Sequence, residues 1–146
     1  LRPRVLIYGA VLSAASVTFA ASVAMRSPFK FDVVKDRGAL ARVVEEGVVE
    51  NVYRIQIMNR TEAPQIYRVD ASGIDGLEVV ATPTSAGPAA VTSTSVSLRL
   101  PFVVAQGLAG RSVPVMFAVT RVEPTSGTSA DRAAIQFEKS TFFIPR

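Results

Sequence analysis

Histidine, cysteine and tryptophan are absent from the 146 residues, and the first two absences remove most of the metal chemistry a protein can do. Zinc, copper(II), haem and iron–sulfur clusters are held chiefly by imidazole and thiolate, so no redox or zinc centre is expected from this chain itself. Without cysteine no disulfide can staple the fold, and its stability must come from packing and backbone hydrogen bonds, which suits either side of a membrane. Serine and threonine are plentiful, but there is no histidine to serve as the ordinary base that would activate one of them. Runs of one charge are missing too. The chain carries +4 with a pI near 10.0, yet Arg2, Arg4 and Arg26 flank one apolar stretch and all 12 acidic residues follow it. Beyond Arg26 the charges nearly balance. No basic run interleaved with aromatics is left to track a phosphate backbone, so nucleic acid is not an expected partner.

What the chain does have is that apolar stretch. From Val5 to Met25 only the phenol of Tyr8 can ionise, and at about 1.5 Å of rise per residue a helix of this length spans roughly 30 Å, the hydrocarbon thickness of a bilayer. The segment reads as a transmembrane helix, with residues 1–27 as the helix and its flanks. It is rich in Ala and Ser rather than Leu, and small residues recur at Gly9, Ser13, Ser16, Ala20 and Ala24, on one stripe where another helix could approach closely. A cleaved signal peptide is the rival reading, because Ser22-Val23-Ala24 places small residues where a signal peptidase reads them. The opening on Leu1 rather than Met, and an apolar run longer than a usual h-region, favour the span. Basic residues lie on both sides of it, so charge does not decide its orientation.

Ser27-Pro28 should end the helix, and from there the period changes to two. Phe29, Phe31 and Val33 alternate with polar residues, Asp36-Arg37-Gly38 reads as a turn, and Val43-Val44 as a short strand closed by Glu45-Glu46-Gly47. Val48 to Asn59 is the strongest strand, with Tyr53, Ile55 and Ile57 on one face and Arg54 and Gln56 on the other, and is expected to be central. Gln65 to Ala71 should pair with it as a hairpin across Thr61–Pro64. A brief strand is expected at Leu77–Ala81 and a surface loop from Thr82 to Thr92. A strand then alternates Val96, Leu98, Leu100 and Phe102, with Pro101 facing outward, and a turn region holds Gly107 and Gly110. Val113 to Val119 alternates next, Pro124–Ser129 forms a loop, and a last strand runs from about Arg132 to Ile144. No segment after Pro28 has a helical period. Seven or eight short strands in about 120 residues describe a mainly β chain, a two-sheet immunoglobulin-like β-sandwich over residues 28–146, with a small β-barrel as the alternative. Its core should be built on Tyr53, Ile55, Ile57, Val96, Leu98, Val115 and Phe117.

Candidate chemistry is sparse, and each candidate has a plainer explanation. Met58 and Met116 could ligate copper only if the fold brought them together, and strand packing explains them better, as the end of the helix explains Met25. Glu45-Glu46 is the densest acidic pair, but neighbours on a strand face opposite ways, which makes it a solvated turn edge before it is an acid–base couple. Asn59-Arg60-Thr61 fits a glycosylation sequon. No catalytic, cofactor-binding or metal-binding residue is therefore assigned.

Several longer motifs occur in order from end to end: Leu1-Arg2-Pro3-Arg4-Val5-Leu6-Ile7-Tyr8-Gly9, Arg26–Phe29 (RSPF), Asp32–Arg42 (DVVKDRGALAR), Glu50–Asn59 (ENVYRIQIMN) and Phe137–Arg146 (FEKSTFFIPR). With them the chain resembles the C-terminal part of the FixG/CcoG family of cytochrome c oxidase accessory proteins. The resemblance implies a bacterial inner-membrane protein whose last membrane helix is followed by a periplasmic immunoglobulin-like domain. It implies a role in assembling the cbb3-type oxidase, with copper reduction at 4Fe-4S clusters held by cysteine runs in a preceding region. None of those cysteines is present here, so no cofactor is carried over onto this sequence. The implied partners are the lipid bilayer, other transmembrane helices of the full-length protein, and oxidase-assembly proteins. Two roles follow: a non-catalytic interaction module, or a structural part of a metal-ion reductase.

Overall fold

A computed structural model describes residues 2–35, 41–44, 47–122 and 135–145. Helix α1 (Pro3–Ala24) has proline in its first turn, where a missing N–H costs nothing, and is long and apolar enough to cross a membrane. Every one of its side chains is exposed, and the Thr18 hydroxyl is satisfied within the helix by the carbonyl of Ala14 at 2.8 Å. The stripe of small residues therefore faces no other described part of the chain. Gly9 has no atom within 4 Å of where a Cβ would stand.

Helix and sheet follow each other almost without a tether. The N–H of Met25 donates to Ala21 and that of Arg26 to Val23, while the Pro28 carbonyl already accepts the N–H of Arg60 at 3.0 Å. The Gln136 amide donates to the Ser27 hydroxyl at 3.2 Å. Helical bonds thus run to Arg26 and bonds to the sheets begin at Ser27.

Nine described strands form two antiparallel sheets. In the first sheet β1 (Phe29–Lys35), β3 (Val49–Asn59), β7 (Val91–Leu100) and β5 (Glu78–Val80) lie in that order, and β2 (Arg42–Val43) also pairs with β3. The second sheet has the order β6 (Thr84–Ala86), β4 (Gln65–Ser72), β8 (Ser112–Val122), β9 (Ile135–Phe143). Their inner faces meet in one core that contains all seven residues expected there, with Phe29, Tyr67, Leu100 and Phe142 beside them. Two aromatic contacts cross between the sheets, Phe29 with Tyr67 at 4.9 Å between ring centres and Tyr53 with Phe117 at 5.0 Å. Such offset pairs add to what their buried area contributes.

The expected β3–β4 hairpin does not form. β3 is central as expected, and for that reason both its edges are taken: β1 covers Tyr53–Asn59, β2 covers Val49–Glu50, and β7 runs along the other side. With no edge left, β4 crosses to the second sheet. Asn59 makes that crossing. It is the last inward residue of β3 and is fully buried. Its Oδ1 accepts the N–H and the hydroxyl of Thr61 and the hydroxyl of Tyr67, while its Nδ2 donates to the carbonyls of Ala63, Ala86 and Gly87. One side chain thus ties the end of the first sheet to β4 and β6 of the second.

Two further expectations are corrected. The stretch Thr82–Thr92 is not one surface loop, because it contains β6, with Ala86 fully buried, and the start of β7. Strand β7 stops at Leu100, and the chain turns into a short helix α2 (Phe102–Gly107) with Pro101 as its N-cap residue. Phe102 is consequently half exposed rather than inward-facing. Six residues are too few to show a helical period, and Val103-Val104 favour a strand by propensity. The turns read at Asp36–Gly38 and Pro124–Ser129 lie outside the described residues, as do positions 132–134 of the last strand.

Replacing Asn59 with Ala should lower stability by about 2–4 kcal/mol, since it strips partners from several buried groups together. Tyr67→Phe, which removes only one of those bonds, should cost about 1 kcal/mol. Thermal unfolding of the two variants checks the ranking.

Candidate interaction surface

The fold separates the residues from which chemistry could have been built. Met58 points outward from β3 in the first sheet, Met116 lies outward on β8 in the second, and Met25 caps α1, so the three do not converge. Among the described residues no three of His, Cys, Asp or Glu are grouped as metal ligands would be. Glu45 and Glu46 lie outside the described residues. Asn59, the acceptor of the sequon, is a buried hydrogen-bonding hub and offers no free amide to a transferase.

Two features remain near the far pole of the sandwich, the end away from α1. The first is a charged cluster on the outer face of the first sheet, set by register: Arg42 of β2 lies opposite Glu50 of β3, and Glu50 opposite Arg99 of β7. The Arg42 guanidinium donates to one carboxylate oxygen of Glu50 at 2.7 Å and the Arg99 Nε to the other at 3.1 Å. Covered by these stems, Glu50 is only 1% exposed although it points away from the core. Burial pushes its carboxyl pKa up, but hydrogen bonds from Arg42, Arg99 and Ser97 more than offset this and leave it below the ordinary value.

Next to this cluster is an apolar groove of about 200 Å³. Val43 and Val49 of the β2–β3 hairpin form one wall, Phe102, Ala105 and Gln106 of α2 another, and Ile144-Pro145 close it. The C-terminal segment is pinned in place: Gly110 donates to the carbonyl of Ile144 and the Ile144 N–H to that of Arg111, both at 3.0 Å. Gly47 turns with φ +76°, where a Cβ would come within 3.0 Å of the Phe102 ring. Glycine is required there for its backbone and for the ring lying over it. Phe102 and Val103 stand out from this pole, Val103 being 83% exposed. Nearly all of the described lining is apolar and no titratable side chain is among the described residues that form it, so the groove is suited to apolar side chains.

The profile of a family described as the IG-like fold at the C-terminal of FixG, itself provisionally classed there as an oxidoreductase, matches residues 19–145. The chain belongs to this FixG C-terminal family. The family match agrees with the two sheets and with the resemblance in the sequence motifs. Among solved structures, a FixG-related protein from Vibrio parahaemolyticus is similar over 81% of this chain and 97% of its own, with 22% identity and a TM-score of 0.64, and shares the fold. A yeast GGA1 GAE domain (9% identity, TM-score 0.42, covering 83% of this chain and 95% of its own) and a protein from Archaeoglobus fulgidus (18%, 0.40, covering 78% and 94%) are more distant. No curated protein matches the chain at a significant level.

Sequence reasoning missed both far-pole features. Arg42 and Glu50 sit symmetrically about the hairpin turn, a signal that exists but needs the register to be read, and Arg99 joins them only through a strand 49 residues away. The groove depends on α2, which has no periodicity of its own.

The lowered pKa of Glu50 fixes the sign of a pH effect. Its contribution to stability is present above the ordinary value of 4.5 and is lost as pH falls through the lower folded value. Glu50→Gln should flatten that part of the acid unfolding curve and cost about 1 kcal/mol at neutral pH, because the two exposed guanidinium groups remain hydrated. Urea titrations of both proteins at neutral and acid pH measure the difference.

Proposed function

We propose that this chain is the membrane-anchored, periplasmic terminal module of a cbb3-type cytochrome c oxidase accessory protein. It is not catalytic itself, and it binds an apolar segment of an oxidase-assembly partner in the far-pole groove during maturation and copper delivery. The observation that carries this reading is a preformed apolar groove, with no titratable side chain among the described residues that line it, in a member of the FixG C-terminal family. Helix α1 would be the anchor in the bacterial inner membrane and would pack against other transmembrane helices of the full-length protein, for which its small-residue stripe is suited.

The test uses the full-length protein in membranes. Phe102→Asp combined with Val103→Asp should leave copper reduction unchanged and stop oxidase maturation. Desolvating one aromatic anchor is worth about 1.5–3 kcal/mol, tenfold or more in affinity. Removing residues 28–146 should do the same. Loss of copper reduction itself would favour a second reading, suggested by the oxidoreductase class attached to FixG, in which the sandwich is a structural part of an iron–sulfur reductase.

Expressed alone, residues 28–146 should form an all-β monomer by circular dichroism. Its melting temperature should not respond to zinc or Cu(I), whereas a site saturated a hundredfold above its Kd would add about 2.7 kcal/mol.

A further inference from the structure

The exposed apolar side chains of the sandwich collect mainly at its two ends. The groove accounts for one end. At the other, next to α1, Lys30, Met58 and Val91 stand in register across three strands on the outer face of the first sheet. On the outer face of the second sheet Ile66 stands nearest this end, Ile135 one outward row further in and Phe137, 66% exposed, in the row after that, on the strand whose Gln136 bonds to Ser27. Between the two faces the loop after β3 presents Arg60, Glu62, Ala63 and Pro64, all exposed, and Arg26 follows the helix directly. The result is a partly apolar end beside the helix junction whose charged members among the described residues are Arg26, Lys30, Arg60 and Glu62, with Asp32 one outward row further along β1. The junction fixes where that end lies, because Ser27 and Pro28 are hydrogen-bonded into the sheets as soon as the helical bonds end.

We infer that this pole of the sandwich docks on the surface of an anionic lipid bilayer, its apolar residues entering the headgroup layer while Arg26, Lys30 and Arg60 pair with lipid phosphates. The inference rests on reading α1 as a membrane span. Two properties favour lipid over a protein partner. The surface is continuous with the span through a junction too short to lift it clear, and its basic excess on apolar supports is the composition that holds segments at the membrane interface.

The chain has no cysteine, so single spin labels can be placed without background. Full chain carrying Ala14→Cys, Ala63→Cys or Val103→Cys is reconstituted into phosphatidylcholine vesicles containing a minority of phosphatidylglycerol, and each label's accessibility to oxygen and to a water-soluble nickel chelate is compared. The expected result is lipid-like accessibility at position 14, headgroup-level accessibility at 63 with severalfold less nickel exposure than at 103, and full exposure at 103. Adding Arg26→Glu, Lys30→Glu and Arg60→Glu should raise nickel exposure at 63 severalfold without changing position 14, and raised salt should act the same way. Equal exposure at 63 and 103 with position 14 still buried would overturn the docking and leave the span standing. Exposure at all three positions would overturn both. Protection at 63 only at high protein-to-lipid ratio would assign the pole to a second copy of the chain and overturn the proposal.

Discussion

The sandwich depends on the inward row of β3, which reads Val49, Asn51, Tyr53, Ile55, Ile57, Asn59. Its middle is apolar and fills the core. Its polar members reach across to the other sheet. The Asn51 amide donates to the carbonyl of Phe143 at 2.8 Å and the Tyr53 hydroxyl to that of Thr141 at 2.9 Å, both on β9. Asn59 binds β4 and the segment after β6 at the opposite end. A buried amide or hydroxyl without a partner costs about 1–3 kcal/mol, so alternative registers of β3 would strand these groups. Apolar packing alone would tolerate a slide of two residues, which keeps the same face inward. The three polar side chains do not, and burial also holds the Tyr53 phenol far above its ordinary pKa, in the protonated form that donates.

This division explains what could be read from the sequence. A period of two marked β3, β7 and β8 and the seven core residues because alternation records burial on one face. It could not record which sheet a strand joins. The chain changes sheets between β3 and β4, β4 and β5, β5 and β6, β6 and β7, and β7 and β8, and none of those changes alters the period. Asn59 shows the limit clearly. In the sequence it is part of a sequon at a strand end, and only the crossing it anchors gives its amide six partners. Glu50 misleads in the same manner, since it occupies an outward position and is nonetheless covered by Arg42 and Arg99. The candidate groove was illegible for a different reason: it is assembled from a hairpin, a helix of six residues and a C-terminal segment whose members meet only in space.

The outer surface has its own order. Along β3 and β4 the outward residues Arg54, Gln56, Arg68 and Asp70 are exposed and polar, with exposed Val34 beside Arg54 and Phe137 in the row of Asp70, and most of the other larger exposed apolar side chains lie nearer the two poles. A uniform scatter would need no explanation, since single exposed apolar residues are ordinary on any surface. On the proposed reading, the apolar residues toward each end would meet a different neighbour.

The separation of those ends constrains how they could act together. Strand β3 has 11 residues, and at about 3.3 Å each it spans roughly 35 Å from the helix junction to the groove. Charge on a membrane surface is screened over about 8 Å at physiological salt. In the proposed orientation the groove therefore stands several screening lengths above the lipid headgroups, and a partner's affinity for it would depend on apolar contact with Phe102, Val43 and Ile144 rather than on membrane potential. Any coupling between the two poles would have to be mechanical, carried by β3 and its cross-sheet hydrogen bonds. Because both ends of that strand are bolted to the second sheet, tilting of the helix would move the groove as part of a rigid body.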